Sequence, residues 1–239
     1  MRDSHVKVQW LGHAALLFQC DGRTVLVDPF LTGNPKAAIK VGNVTADLIL
    51  ISHGHGDHVG DSVAIAKRTG ATVASNYEIG EWLKQPAQGL SGEKVHGLQH
   101  GGSFLFDEAV RVKLTLAFHG SALPDGSYGG NPCGFIVTCP GGTKIYDAAD
   151  TALFGDMALI GEEGLDLAIL PIGDYYTIGP VDAVRAVKLL KPRFVLPIHY
   201  NTFPRIAQDA GAWAAQVKSE TTSELIVLQP GEWFEIPKT

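Results

Sequence analysis

Three imidazoles and a carboxylate fall within the six positions His53-Gly54-His55-Gly56-Asp57-His58, directly after the apolar run Asp47–Ser52. In extended backbone, residues i and i+2 project to the same side, so His53 and His55 can converge on one ion. Gly54 and Gly56 let the chain turn sharply, which allows Asp57 and His58 to face a second ion. Imidazole and carboxylate donors together suit zinc, manganese or iron, and the absence of cysteine from the motif disfavours a purely structural zinc site. A merely solvated histidine-rich loop has no need of a buried strand before it and a helix after it. Two more histidines, His119 and His199, each close an apolar run, Val110–Phe118 and Phe194–Ile198. A lone histidine at a strand end is usually structural, but a two-metal site needs ligands from several strands.

The elements that must position these residues are legible in outline. Val6–Leu11, Ala14–Cys20 and Thr24–Asp28 read as strands joined by Gly12 and by Asp21-Gly22, and Asp47–Ser52 as a buried strand. A helix over Asp61–Thr69, a strand over Thr72–Ser75 and a short helix over Ile79–Leu83 follow. Two strands fit between Phe104 and Phe118, and then a loop rich in Gly, Ser and Pro runs from Gly120 to Pro132. Ordered loops of that length are usually functional. The second half repeats the scheme. Strands are expected at Gly134–Cys139, Thr143–Asp147, Leu167–Ile172, Phe194–Ile198, Leu225–Leu228 and Trp233–Ile236. Helices are expected near Phe154–Ile160, at Pro180–Leu190 with proline at its start, and over Pro204–Lys218. Two packed sheets with helices outside, in one domain over residues 1–239, is the economical reading.

Composition bounds the rest. The 239 residues carry a formal net charge of −6 with 18% charged residues, an ordinary globular balance. It leaves no electrostatic footprint for nucleic acid or an anionic membrane, so a small-molecule substrate is the expected partner. No apolar run approaches the roughly 18 residues that span a bilayer, and the first residues lack the build of a signal peptide. A cytoplasmic protein is therefore expected, with Cys20, Cys133 and Cys139 as reduced thiols. There is no Gly-x-Ser-x-Gly elbow and no Walker-type phosphate loop. His96 and His100 have no supporting motif, and His5 is expected at the surface.

The His-x-His-x-Asp-His signature after a strand resembles the metallo-β-lactamase superfamily. Longer stretches resemble its branch of small metal-dependent hydrolases, related to L-ascorbate-6-phosphate lactonase and to N-acyl-phosphatidylethanolamine phospholipase D. They are Trp10–Ala14, Leu26–Pro35, Asp150–Asp156 and Pro197–Pro204. The resemblance implies an α/β, four-layer αββα sandwich and two divalent metal ions. His53, His55 and His119 would bind one ion, Asp57, His58 and His199 the other, and Asp150 would bridge them. It also implies hydrolysis of an ester, lactone or phosphodiester by a hydroxide shared between the metals, with Asp57 orienting that nucleophile. At the bridging aspartate the branch reads His-Ala-Gly-Asp-Thr, whereas this chain reads Asp147-Ala148-Ala149-Asp150-Thr151. Ala149 is therefore expected to strain a position that needs positive φ, and Asp147 to sit solvated at a strand end.

Weaker candidates surround this set. His13 and Asp28 are placed either to orient ligand imidazoles from behind or as a core histidine and a turn aspartate. Asp174, after a buried strand, is a candidate to face substrate. Tyr128, Tyr175, Tyr176 and Tyr200 either stack on substrate or simply pack. A protein that binds metal without turnover, as a scaffold or sensor, is the competing reading, and self-association is left open.

Overall fold

Apolar residues of the first half sort by period two onto two different cores. Val6, Val8, Trp10, Leu16, Phe18, Val25, Val27, Leu48 and Leu50 join a core that also holds the second half's strands. Their alternates Leu11, Leu17, Leu26, Ile49 and Val73 join a separate core with Ile65, Ile79 and Leu83. Successive side chains of a strand point to opposite faces, so a sheet buried on both faces must divide its residues this way. The computed structural model describes residues 6–238, and His5 lies outside them.

In the first half, β1 (Val6–Gly12), β2 (Ala15–Cys20), β3 (Arg23–Val27) and β4 (Leu48–Leu50) lead to α1 (Gly56–Val59) and α2 (Ser62–Thr69). β5 (Thr72–Asn76), α3 (Tyr77–Leu83) and β6 (Val95–Leu98) complete that half. The second half holds β7 (Ser103–Phe106), β8 (Val110–Leu116), β9 (Cys133–Thr138) and β10 (Lys144–Asp147). There follow α4 (Met157–Gly161), β11 (Leu167–Pro171), α5 (Pro180–Leu190) and β12 (Phe194–Ile198). α6 (Ala210–Glu220), β13 (Glu224–Leu225) and β14 (Trp233–Glu235) close the chain. Two seven-stranded mixed sheets result, in the orders β14-β1-β2-β3-β4-β5-β6 and β13-β12-β11-β10-β9-β8-β7. They face each other across the first core, and α2 and α3 cover the outer face of the first sheet. This is the expected αββα sandwich.

Strand direction sets where chemistry can occur. β3 to β6 run parallel, as do β10, β11 and β12, and β8 shares their direction because β9 is antiparallel to both β8 and β10. The loops that carry His53, His119, Asp150 and His199 therefore all leave the carboxyl ends of strands, the usual place for a ligand crevice in α/β sheets. No helix among the described residues is long and apolar enough to cross a membrane.

Several expectations need correction. Cys20 and Cys139 are joined in a disulfide between the two sheets, and only Cys133 is free. An odd cysteine count conceals a pair whose members lie 119 residues apart and meet only across the core. The helix expected over Pro204–Lys218 is split. Pro204–Ile206 forms one 3-10 turn, and α6 starts after Asp209, whose side chain accepts from Ala212 N at 2.9 Å. That N-cap fixes the start more firmly than apolar spacing could. β6 has no counterpart among the expected strands, because its pattern is mostly exposed and lacks alternation.

Candidate metal centre

One carboxylate oxygen ties the site together. Asp150 Oδ2 lies 3.1 Å from His199 Nε2, 3.4 Å from His58 Nε2 and 3.5 Å from His119 Nε2. Those imidazoles arrive from the end of β12, from α1 and from the loop after β8. On either side of Asp150 the donors form two groups. His53, His55 and His119 each offer a ligand atom within 4.8 Å of the others, and so do His13, Asp57, His58 and His199. The seven residues implied by the resemblance thus converge, and His13 is brought in beside them.

Local structure explains the convergence. β4 ends at Leu50 and the chain leaves the sheet through Ser52 and His53, both fully buried. His55 is the residue before α1, and its carbonyl accepts from His58 N and Val59 N. Asp57 and His58 consequently sit in one helical turn and face the gap between the sheets. Gly54 has no positive φ, and neither does Gly56. At Gly54 the requirement is space: a Cβ there would lie 3.0 Å from Ser121 O and 3.1 Å from Leu123 N. The glycine lets the histidine turn press against the loop after His119, and Gly54 N donates to Ser121 Oγ at 3.0 Å.

A layer of polar residues holds the imidazoles from behind. His58 Nδ1 lies 2.7 Å from Asp28 Oδ2, which also accepts from Ser52 Oγ at 2.5 Å. Ser52 Oγ in turn lies 2.9 Å from His53 Nδ1. His13 joins Thr202 Oγ1 at 2.9 Å through Nδ1 and Asp57 Oδ2 at 3.1 Å through Nε2. Of these partners, Ser52 and Thr202 carry no signal in the sequence beyond their position, Ser52 just before the histidine motif and Thr202 three residues after His199. Four members of the centre occupy the left-handed region: His13 (φ 58), Asp28 (φ 42), Ala149 (φ 51) and His199 (φ 55). Such residues cost on the order of 1–3 kcal/mol each and collect at functional sites. Ala149 thus sits at the positive φ its neighbours in sequence require.

Two candidates move. Asp147 is fully buried rather than solvated, because β10 ends inside the sandwich, and its Oδ1 accepts from Ala149 N at 3.0 Å. Burial, with Asp28 nearby, pushes its carboxyl up to about 7. Asp174 is exposed and makes no hydrogen bond or ion pair with the centre; it turns the chain after β11, and its carbonyl accepts from Thr177 N. Among the tyrosines, Tyr200 is buried against Trp10, while Tyr128, Tyr175 and Tyr176 are exposed. His100 binds Pro132 O, and His96 stacks on Phe104.

The donor set fits divalent cations. Among the described residues, His199 Nδ1 and Asp150 Oδ1 are buried without a hydrogen-bond partner, and His58 Nε2 and His199 Nε2 have only the Asp150 Oδ2 that they share. Buried polar atoms left unpaired cost free energy, so their clustering calls for a ligand. Protonation states agree. Burial would raise the Asp150 carboxyl, but His199 and His58 hold it well below the usual carboxylate range. Burial likewise lowers His53 and His119, and brings His13 down to about 4 against the opposing bond to Asp57, so their rings are neutral. His58 goes the other way: Asp150 and Asp28 overcome its burial and raise it. Asp57, despite burial, is kept below the usual range by the His13 bond and the His58 charge.

The profile of the Beta-lactamase superfamily domain matches residues 7–199. This chain belongs to that superfamily. Within it, relatives named UPF0173 metal-dependent hydrolase share most of its length. The one from Thermus thermophilus is 52% identical over 228 residues, covering 95% of this chain and 97% of its own. The one from Pelotomaculum thermopropionicum is 49% identical over 236 residues, covering 97% and 100%. Among solved structures, the metallo hydrolase Igni18 from Ignicoccus hospitalis is 34% identical, superposes with a TM-score of 0.87 and covers 99% of this chain and 100% of its own. The matched stretch ends at His199.

Proposed function

We propose that this member of the superfamily is a hydrolase that works with two divalent cations on a carboxylic ester, lactone or phosphodiester. One observation carries the reading: a single buried Asp150 oxygen lies between two groups of donors delivered by separate strands. His53, His55 and His119 would hold one cation, Asp57, His58 and His199 the other, and Asp150 both. The all-nitrogen-and-oxygen set suits zinc first, with manganese or iron as alternatives. A bound cation pair supplies Lewis acidity, polarising the scissile oxygen and bringing the pKa of water toward about 7.

The chain's own residues do the rest. Asp57 is the one carboxylate of the centre with substantial exposure, 35% of its side chain, and it stays ionised. It can accept a hydrogen bond from an attacking water while His13 fixes its other side. Asp28 holds His58 by Nδ1 so that Nε2 faces Asp150, and Ser52 holds His53 by Nδ1 so that Nε2 faces His55. Burial of His53, His58, Asp150 and His199 excludes bulk water from behind the reacting atoms.

Elemental analysis of the purified protein, followed by p-nitrophenyl esters, bis-p-nitrophenyl phosphate and lactones with and without chelator, tests this reading. Chelator-sensitive cleavage with two cations per chain is expected. Tight cation binding with no cleavage of any bond type would leave a scaffold or sensor instead.

A further inference from the structure

A positively charged side chain, Arg205, lies on the loop that follows the donor His199. Of the segments that leave strand ends around the centre, 51–61, 117–132, 148–156, 172–179 and 199–209 contain Arg205 and no other lysine or arginine, while the loop after β3 adds Lys36 and Lys40. The guanidinium is held in place. Its Nη1 donates to Tyr175 Oη at 2.8 Å, and its Cζ stands 4.9 Å from the centroid of the same ring. Neither Nε nor Nη2 has a hydrogen-bond partner among the described residues. Hydrogen bonding and stacking on tyrosine fix the plane of an arginine and leave its remaining N–H groups as a preformed fork for an oxyanion.

The segment that carries Arg205 is braced to the centre. Asn201 N donates to Ile206 O at 2.8 Å, and Asn201 exchanges two side-chain bonds with the backbone of Gln208. On the other strand end, Gly173 packs so closely that a Cβ there would collide with His199 O, which places Tyr175 two residues beyond a ligand's backbone. Phe203, in the same braced segment, meets the His13 ring edge-on at 5.6 Å. The loops at these strand ends also carry exposed aromatic side chains, Phe118 at 56%, Tyr176 at 51% and Phe203 at 38%. Large aromatic surface left in water beside a centre of this kind is surface kept for contact.

We infer that Arg205, clamped by Tyr175, anchors an oxyanion of the substrate, a carboxylate or phosphate, and that the aromatic collar receives an apolar body joined to it. The substrate class is then an amphiphilic acid whose ester, lactone or phosphodiester bond lies over the centre. This inference rests on the hydrolase reading and narrows it. Arg205 is a binding residue here: it touches substrate away from the bond that breaks.

Isothermal titration of the cation-loaded full chain with phenylacetate, benzylphosphonate, acetate and benzyl alcohol tests it. Direct ligation of the cations by an anion is common to all variants, so differences between variants isolate the side chain. Arg205→Ala is expected to weaken phenylacetate, benzylphosphonate or both by about 10- to 100-fold, the loss of a charge-assisted pair. Arg205→Lys should recover part of it. Arg185→Ala, an exposed arginine paired with Asp182 on α5, should bind as the parent does. Loss for one anion only identifies carboxylate or phosphate as the anchored group. An Arg205→Ala protein that binds both anions within twofold of the parent overturns the anchor, and phenylacetate no tighter than acetate overturns the collar. If the chain cleaves no ester, lactone or phosphodiester while Arg205→Ala still loses the anions, the hydrolase reading fails and the anchor stands. Cleavage of neutral p-nitrophenyl esters with anion binding unaltered in Arg205→Ala has the opposite meaning: the hydrolase reading stands and the anchor fails.

Discussion

The two donor groups that flank Asp150 differ in how firmly the protein holds them. In the first, His53 is buried but His55 and His119 are partly open, and among the described residues the polar side chain bonded behind the trio is Ser52 on His53. In the second, His13, His58 and His199 are buried, Asp28 pins His58, and Thr202 and His13 pin Asp57. The second group is a prepared cage and the first a looser cradle. Outer partners of metal ligands are worth about 10- to 100-fold in affinity, so the second position is expected to fill first and the first to exchange more readily.

The harshest test removes the residue the two groups share. Asp150→Ala should empty both positions in elemental analysis and lower kcat/KM by on the order of 10²–10³ or more. Loss of only one cation would show that Asp150 serves one group alone. Next in size, Asp28→Asn should weaken cation binding at the second group by about 10- to 100-fold in chelator competition and weaken the first, which Asp28 reaches only through Ser52, by less. Equal weakening of both would erase the contrast between cage and cradle.

A smaller effect comes from pH. Without a cation, His58 is raised by Asp150 and Asp28, so its proton must leave before the ring can serve as a ligand. Affinity at the second group should therefore fall as pH drops below that raised value, by up to about tenfold per pH unit for one proton. His53 and His119 are shifted downward, so the first group should depend on pH less steeply than the second over the same range. Competition with a chromogenic chelator between about pH 6 and pH 8 reads both. Smallest of all, Ala149→Gly should relieve the left-handed backbone at φ 51 and raise the free energy of unfolding, read by denaturant titration, by about 1 kcal/mol. A lower value would mean that the turn tolerates Ala149 without strain.

Much of this is legible from residue order. The donors His53, His55, Asp57 and His58 lie in one short run, and His119 and His199 each close an apolar strand, so local pattern suffices. α5 and β12 match their expected bounds because proline, apolar spacing and a buried run all agree there. What escapes depends on the third dimension. Asp147 looks like a solvated strand end until β10 is seen to end inside the sandwich. Gly54 looks like a hinge, yet its reason is the backbone of residues 121–123 pressed against it. Cys20 and Cys139 sit in unrelated strands of the sequence and meet only when the sheets stack. Arg205 has no motif, and Tyr175 becomes its partner only because two strand ends adjoin.

The scattering of donors over the chain also orders events during synthesis. The histidine-rich turn leaves the ribosome well before His119, and His199 comes far later still. A cation caught early can meet the turn alone, where His53, His55 and His58 compete for it without Asp150. On the proposed two-cation reading, loading of the cage would have to wait until β12 has docked against β11, and cation occupancy would then read completed folding and not nascent structure.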